Sequence, residues 1–125
     1  MNILNKEIIL AFRKYARYGF DRREADIFEM FKIVAGATSN NVEALKMMAV
    51  YETLRALLAL GMNETVTMVR EVYFKFPERP LKRNEVTMRV RRAAVELYMD
   101  ERTVYRHLNT AKSLFLGFFD LQKNT

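Results

Sequence analysis

The sequence predicts an all-α fold of about six helices, and three observations predict it. Half of the residues are hydrophobic, enough to bury a sizeable core. Glycine and proline are scarce, at four and two, and strong helix formers dominate the remainder. Apolar residues recur at i, i+3, i+4 and i+7 in stretches divided by capping and turn residues. A chain of 125 residues fits one domain, or two small helical units that share a core.

The first helix is expected from about Lys6 to Tyr18, with Ile8, Ala11, Phe12 and Tyr15 turned inward and Gly19 as its stop. Asp21 is placed to start the second, with Glu24 three residues on as in a capping box. Ile27, Phe31, Val34 and Ala35 form its inward stripe, and Gly36 suits its C-cap. Residues 37–41 have the composition of a loop. The third helix, Val42 to Leu60, is apolar on most faces, which suits the centre of a core; Gly61 stops it. Its Lys46, Glu52 and Arg55 argue against a membrane span. Asn63 is expected to cap a fourth helix with Val66, Val69, Tyr73 and Phe76 on one side, closed by Pro77. Residues 77–83 then read as a linker between an N-terminal helical unit (1–76) and a C-terminal unit (84–125).

In the C-terminal unit, Asn84 is expected to cap a helix with Val86, Val90, Ala93, Ala94 and Leu97 on one face. Asp100 is expected to cap the last helix, whose inward face is Val104, Leu108, Ala111 and Phe115. Only Tyr98 and Met99 lie between the end of one and the cap of the next, so the two helices must cross steeply, with the small Ala94 where they touch. The stretch Leu114 to Leu121 is too apolar to be solvated. Packing onto the N-terminal unit is the favoured expectation for it, and a symmetric dimer contact is the alternative.

Charge separates this unit from the rest. Residues 79–113 hold nine Lys/Arg against four Asp/Glu, a balance of +5 in a chain whose total is +6. Such a patch suits a polyanion, because each cation placed on a phosphate releases condensed counterions. Stepping 100° per residue from an inward Val104 puts Arg102, Arg106, Asn109 and Ser113 on the outer face of the last helix, with Tyr105 and Thr110 beside them. Arg can fork onto guanine O6 and N7, Asn can pair with adenine N6 and N7, and Tyr or Thr can reach phosphates and methyl groups. Together these features predict a helix-turn-helix that binds double-stranded DNA in the major groove, with Arg83, Arg89, Arg91 and Arg92 as phosphate contacts.

The run Ala93-Ala94-Val95-Glu96-Leu97-Tyr98-Met99-Asp100-Glu101-Arg102-Thr103-Val104-Tyr105-Arg106-His107-Leu108 resembles the helix-turn-helix of sigma factor region 4. The wider segment from Val69-Arg70-Glu71-Val72-Tyr73-Phe74 through Phe115 is similar to the ArpU and RinA families of phage transcriptional regulators. The resemblance covers roughly the last 50 residues. It implies that Arg102, Thr103, Tyr105, Arg106 and Asn109 face the DNA, and that the chain regulates transcription for a phage or mobile element. One departure stands out: the turn position that is often Gly in such units is Tyr98.

Other chemistries find little to stand on. With no cysteine, disulfides and thiolate metal sites are impossible, and a cytoplasmic location is expected. The first residues lack a signal-peptide pattern, and no membrane partner is expected. His107 is the lone histidine, better suited to packing or to bonding a phosphate than to holding zinc. No Gly-rich phosphate loop, nucleophile elbow or catalytic carboxylate pair is present, so neither an enzyme nor a cofactor is expected. Three alternatives stay open: a phage small terminase subunit, a module that binds RNA polymerase without reading bases, and a homodimer as the working form.

Overall fold

The computed structural model describes residues 5–21, 27–38 and 41–123. Among them the fold is all-α, with six helices: α1 Asn5–Arg17, α2 Ile27–Thr38, α3 Asn41–Ala59, α4 Asn63–Val69, α5 Glu85–Glu96 and α6 Glu101–Lys123. None is long and apolar enough to cross a membrane.

The inward stripe of α1 is as its spacing requires: Ile8, Ala11, Phe12 and Tyr15 are all buried. Chain reversal at Gly19 closes two backbone bonds, Gly19 N–H to the Ala16 carbonyl and Phe20 N–H to the Tyr15 carbonyl, with Gly19 at φ +81°. This is a Schellman C-cap, which calls for a left-handed residue. Asp21 lies in the following turn, where its carboxylate accepts from Arg70 at 3.2 Å. It is thereby engaged with α4's continuation; the helix start expected after it, with its capping-box partner Glu24, lies outside the described residues. Gly36 is not a C-cap, because α2 runs through it to Thr38.

Helix α3 is the hub, packing against α1, α2, α4 and α6. Ala44, Met47, Ala49, Val50, Leu54 and Leu57 are buried on it, while Leu58 and Leu60 are exposed. A helix apolar on most faces is thus central, with its surplus leucines left at its C-terminal end. Gly61, at φ +73°, ends it with the same pair of bonds as at Gly19. The second of those bonds holds Met62 against the Leu57 carbonyl, so the chain enters α4 at once. Met62 therefore occupies the cap position and Asn63 makes no capping bond, contrary to the expectation for it.

Helix α4 does not end at Pro77. It widens into a π-helical turn, Arg70–Phe74. The extra residue per turn brings Val72, Tyr73 and Phe74 into the core together with Met68 and Val69. It also rotates the chain, so that Phe76, expected inward, stands exposed in a left-handed conformation (φ +52°). The residue before a proline is disfavoured from continuing an α-helix, which is consistent with the break occurring here.

Two buried arginines finish this helix. Arg13 of α1 donates to the carbonyls of Tyr73 (2.8 Å), Lys75 (3.2 Å), Phe76 (2.7 Å) and Arg79 (2.6 Å). Arg89 of α5 donates to the carbonyls of Val72 (2.9 Å) and Lys75 (2.8 Å). Carbonyls at a helix C-terminus lack intrahelical donors and carry partial negative charge, so a guanidinium serves them well. Burial, and next the nearby Arg89, lower the pKa of Arg13 from its usual value. Residues 75–83 are accordingly a strap tied down at its start and middle.

Helix α6 joins the two halves. Its buried face is Val104, Leu108, Ala111, Phe115 and Phe119, and it packs on α3, α4 and α5. Phe115 stacks with Phe119 and meets Phe12 at 5.7 Å between ring centres. Each such side chain stabilises the fold by about 1.5–3 kcal/mol relative to exposure. The apolar tail thus folds onto the N-terminal helices, as favoured.

Candidate nucleic-acid interface

Helix α5 ends with the third Schellman cap of the chain. Tyr98 N–H bonds the Val95 carbonyl, Met99 N–H bonds the Ala94 carbonyl, and the left-handed position (φ +55°) is filled by Tyr98. Its side chain is 96% exposed. The turn is therefore reached with a strained tyrosine where the other two caps have glycine. Asp100 then caps α6: its carboxylate accepts the Thr103 N–H at 2.7 Å. That bond, the Thr103 hydroxyl and the cations Arg102 and Arg106 hold the Asp100 carboxyl below its usual pKa. A short turn and an immediate cap bring the two helices together, with Ala93 and Ala94 buried between them.

At the other end of α5 the cap differs from expectation. Asn84 is left-handed (φ +66°) and its side chain makes no capping bond. The work falls to Glu85, whose carboxylate reaches back to the Lys82 N–H and forward to Arg89 at 2.7 Å. The Lys82 bond, ahead of Arg89, keeps the Glu85 carboxyl below its usual pKa. Leu97 is likewise more exposed than its place in the stripe implied, because the chain is already turning there.

Some of the sequence-predicted contact residues stand free and others are engaged within the fold. Arg102, Arg106 and Asn109 stand exposed along one face of α6, with Ser113 in line. Tyr105 is half-buried against the core edge, and Thr110 spends its hydroxyl on the Arg106 carbonyl at 3.0 Å. Thr103 is half-buried, and its N–H and hydroxyl belong to the Asp100 cap, so it shapes the helix start rather than offering a free donor. On α5 and before it, Arg83, Arg91 and Arg92 are exposed, and Arg91 lies 3.7 Å from Glu101 at the start of α6. Arg89 is the correction. It is buried, with its donors given to Glu85 and to two main-chain carbonyls, and is not available to a phosphate.

The exposed face of α6 is chemically one-sided: from Arg102 to Phe119 the helix carries no carboxylate. Its opposite face is completely buried, so it is held as a rigid rod with its donors outward. Such a helix can enter a groove about 12 Å wide and present two guanidinium forks and an amide to base edges. His107 lies beside this face, half-buried, with Nδ1 at 2.8 Å from the Thr65 hydroxyl and Nε2 at 3.6 Å from Glu64. It joins α6 to α4 and is a packing residue. No group of three or more His, Asp or Glu among the described residues is placed to hold a metal ion.

Sequence reasoning passed over Lys75, Arg79 and Lys82, which gather with Arg83 and Arg92 around a cleft between the strap and α5. The only signal was the charge run at 79–83. Comparison with protein families, with characterised proteins and with solved structures gives no match to this chain.

Proposed function

We propose that this chain is a sequence-specific double-stranded DNA-binding protein whose α5–turn–α6 segment acts as a helix-turn-helix. Helix α6 would lie in the major groove. The observation that carries the reading is the outer face of α6 over residues 102–119, free of carboxylates, with Arg102, Arg106 and Asn109 exposed on a helix whose other face is locked in the core. Arg83, Arg91 and Arg92 supply phosphate contacts beside it. The sequence resemblance to sigma factor region 4 and to ArpU- and RinA-type proteins supports a role in phage or mobile-element transcription. That role requires a cytoplasmic location.

Selection from a random duplex pool, followed by gel shift on the enriched site, tests the proposal. A single preferred site is expected. Arg102→Ala and Arg106→Ala should each cost about 1–3 kcal/mol, mostly at one base position. Binding left unchanged by the double substitution would remove α6 as the reading element.

A further inference from the structure

The cleft between the strap and α5 has a volume of about 280 Å³, near the lower limit for ligand pockets. That admits a phosphate group with its neighbouring sugar, and the cations lining the cleft, rather than its size, favour an anion. Two of its cations are already satisfied: Lys75 pairs with Glu71 at 2.6 Å, and Arg89 with Glu85 at 2.7 Å. Four others, Arg79, Lys82, Arg83 and Arg92, have no salt-bridge partner among the described residues and line the same opening. The guanidinium of Arg79 lies over the Phe76 ring, 4.7 Å from its centre. Phe76 itself is held left-handed and exposed, a strained state for a bulky residue and one that concentrates at functional positions. Beneath it, the buried Arg13 fixes the carbonyls of Phe76 and Arg79, so the cleft wall is braced in advance of any ligand.

The cleft is joined to the proposed reading helix by α5. Arg92 lines the cleft, and its neighbour Arg91 reaches Glu101 at the start of α6. Glu85, Met88, Arg89 and Arg92 line the cleft at successive turns of α5, so it lies on the strap side of α5, beside the start of α6 and apart from the face of Arg106 and Asn109. A flanking position of this kind suits a contact to the sugar–phosphate backbone next to the bases that α6 would read.

We infer that this cleft is a built phosphate site that grips the DNA backbone beside the groove read by α6. The inference rests on the proposed DNA binding and adds to it a second contact, with Arg79 and Lys82 as its new members. Such a contact sets affinity and register and carries no sequence information.

The test compares salt dependence of duplex binding for three chains. The cleft variant is Arg79→Gln, Lys82→Gln, Arg83→Gln. A control variant, Lys6→Gln, Lys32→Gln, Arg55→Gln, removes the same charge from exposed positions elsewhere. The cleft variant should lose about 2–3 from the slope of log K against log salt, with at least a ~10-fold weaker affinity near 0.1 M salt. Selected and random duplexes should weaken alike, so the preference between them is kept. An unchanged slope in the cleft variant, or an equal loss in the control, overturns the cleft assignment while leaving base reading by Arg102 and Arg106 intact. A wild-type chain that binds no duplex at low salt overturns both. A titration with ATP and with inorganic phosphate checks the source of the phosphate: saturable binding of either, tighter than that of duplex, would overturn the backbone as the occupant.

Discussion

Tyr98 occupies a backbone conformation that the same chain assigns to glycine twice. Gly19 and Gly61 close helices with the same two hydrogen bonds and the same positive φ, at no steric expense. A tyrosine there places its Cβ against the backbone, at about 1–2 kcal/mol. Since its ring is almost wholly exposed, removing the side chain gives up little packing. Tyr98→Gly should therefore stabilise the fold by about 1 kcal/mol, less the part that glycine returns by loosening the unfolded chain. Urea denaturation of the two proteins checks this, and a lower midpoint for Tyr98→Gly would contradict the strain. The glycine-or-strain choice was visible in the sequence as soon as the turn was located. Arg89 was not: its charge reads as a surface contact, and only the carbonyls of Val72 and Lys75, which come from another helix, show why it turns inward. Arg13 was hidden for the same reason, since its acceptors lie 60 or more residues away.

At the level of elements, apolar spacing located α1 and α3 to within a residue and Asp100 marked the start of α6, while end signals gave Gly19, Gly61 and Asp100 their roles. Asn63 and Asn84 misled, because a capping residue is only as good as the chain path that delivers it. Met62 already held the first site, and a left-handed turn took the second. The π-helical turn had no local signature, and its effect on Phe76 could not be anticipated from a 3.6-residue period. Asp100 offers a test of the α6 cap through pH. Its folded pKa is lowered, so the cap contributes fully above the ordinary carboxyl value, near 4, and is lost as pH falls through the folded value. The Thr103 amide resonance should move through that titration with a midpoint below the ordinary one. Asp100→Asn should keep the bond and flatten the titration, since asparagine caps as well without a charge. A Thr103 amide indifferent to pH in the wild type would show the cap to be absent in solution.

For the molecule as a whole, the all-α class and the inward packing of the apolar tail were legible from composition and period. The proposed reading face was legible too, in the alternation of Val104, Leu108 and Ala111 with Arg102, Arg106 and Asn109. The cleft was not, because it is assembled from a strap and a helix that Arg13, Arg17 and Arg89 bring into register through distant main-chain carbonyls. Residues 77–83 looked like a loose tether between two units. In the fold they belong to a segment whose carbonyls are held by a side chain from α1. This has a consequence for proteolysis. Lys75, Lys82 and Arg83 give the segment three tryptic sites (Arg79 is shielded by Pro80), on the kind of exposed loop where nicking usually begins. A protease must first draw several residues of backbone out into its own groove, and here those residues are moored. Trypsin should spare the native chain between residues 75 and 83, whereas Arg13→Leu should be cut there first, leaving two fragments of unequal size. Equal rates of cleavage in the two proteins, followed by mass spectrometry, would mean that the mooring does not hold in solution.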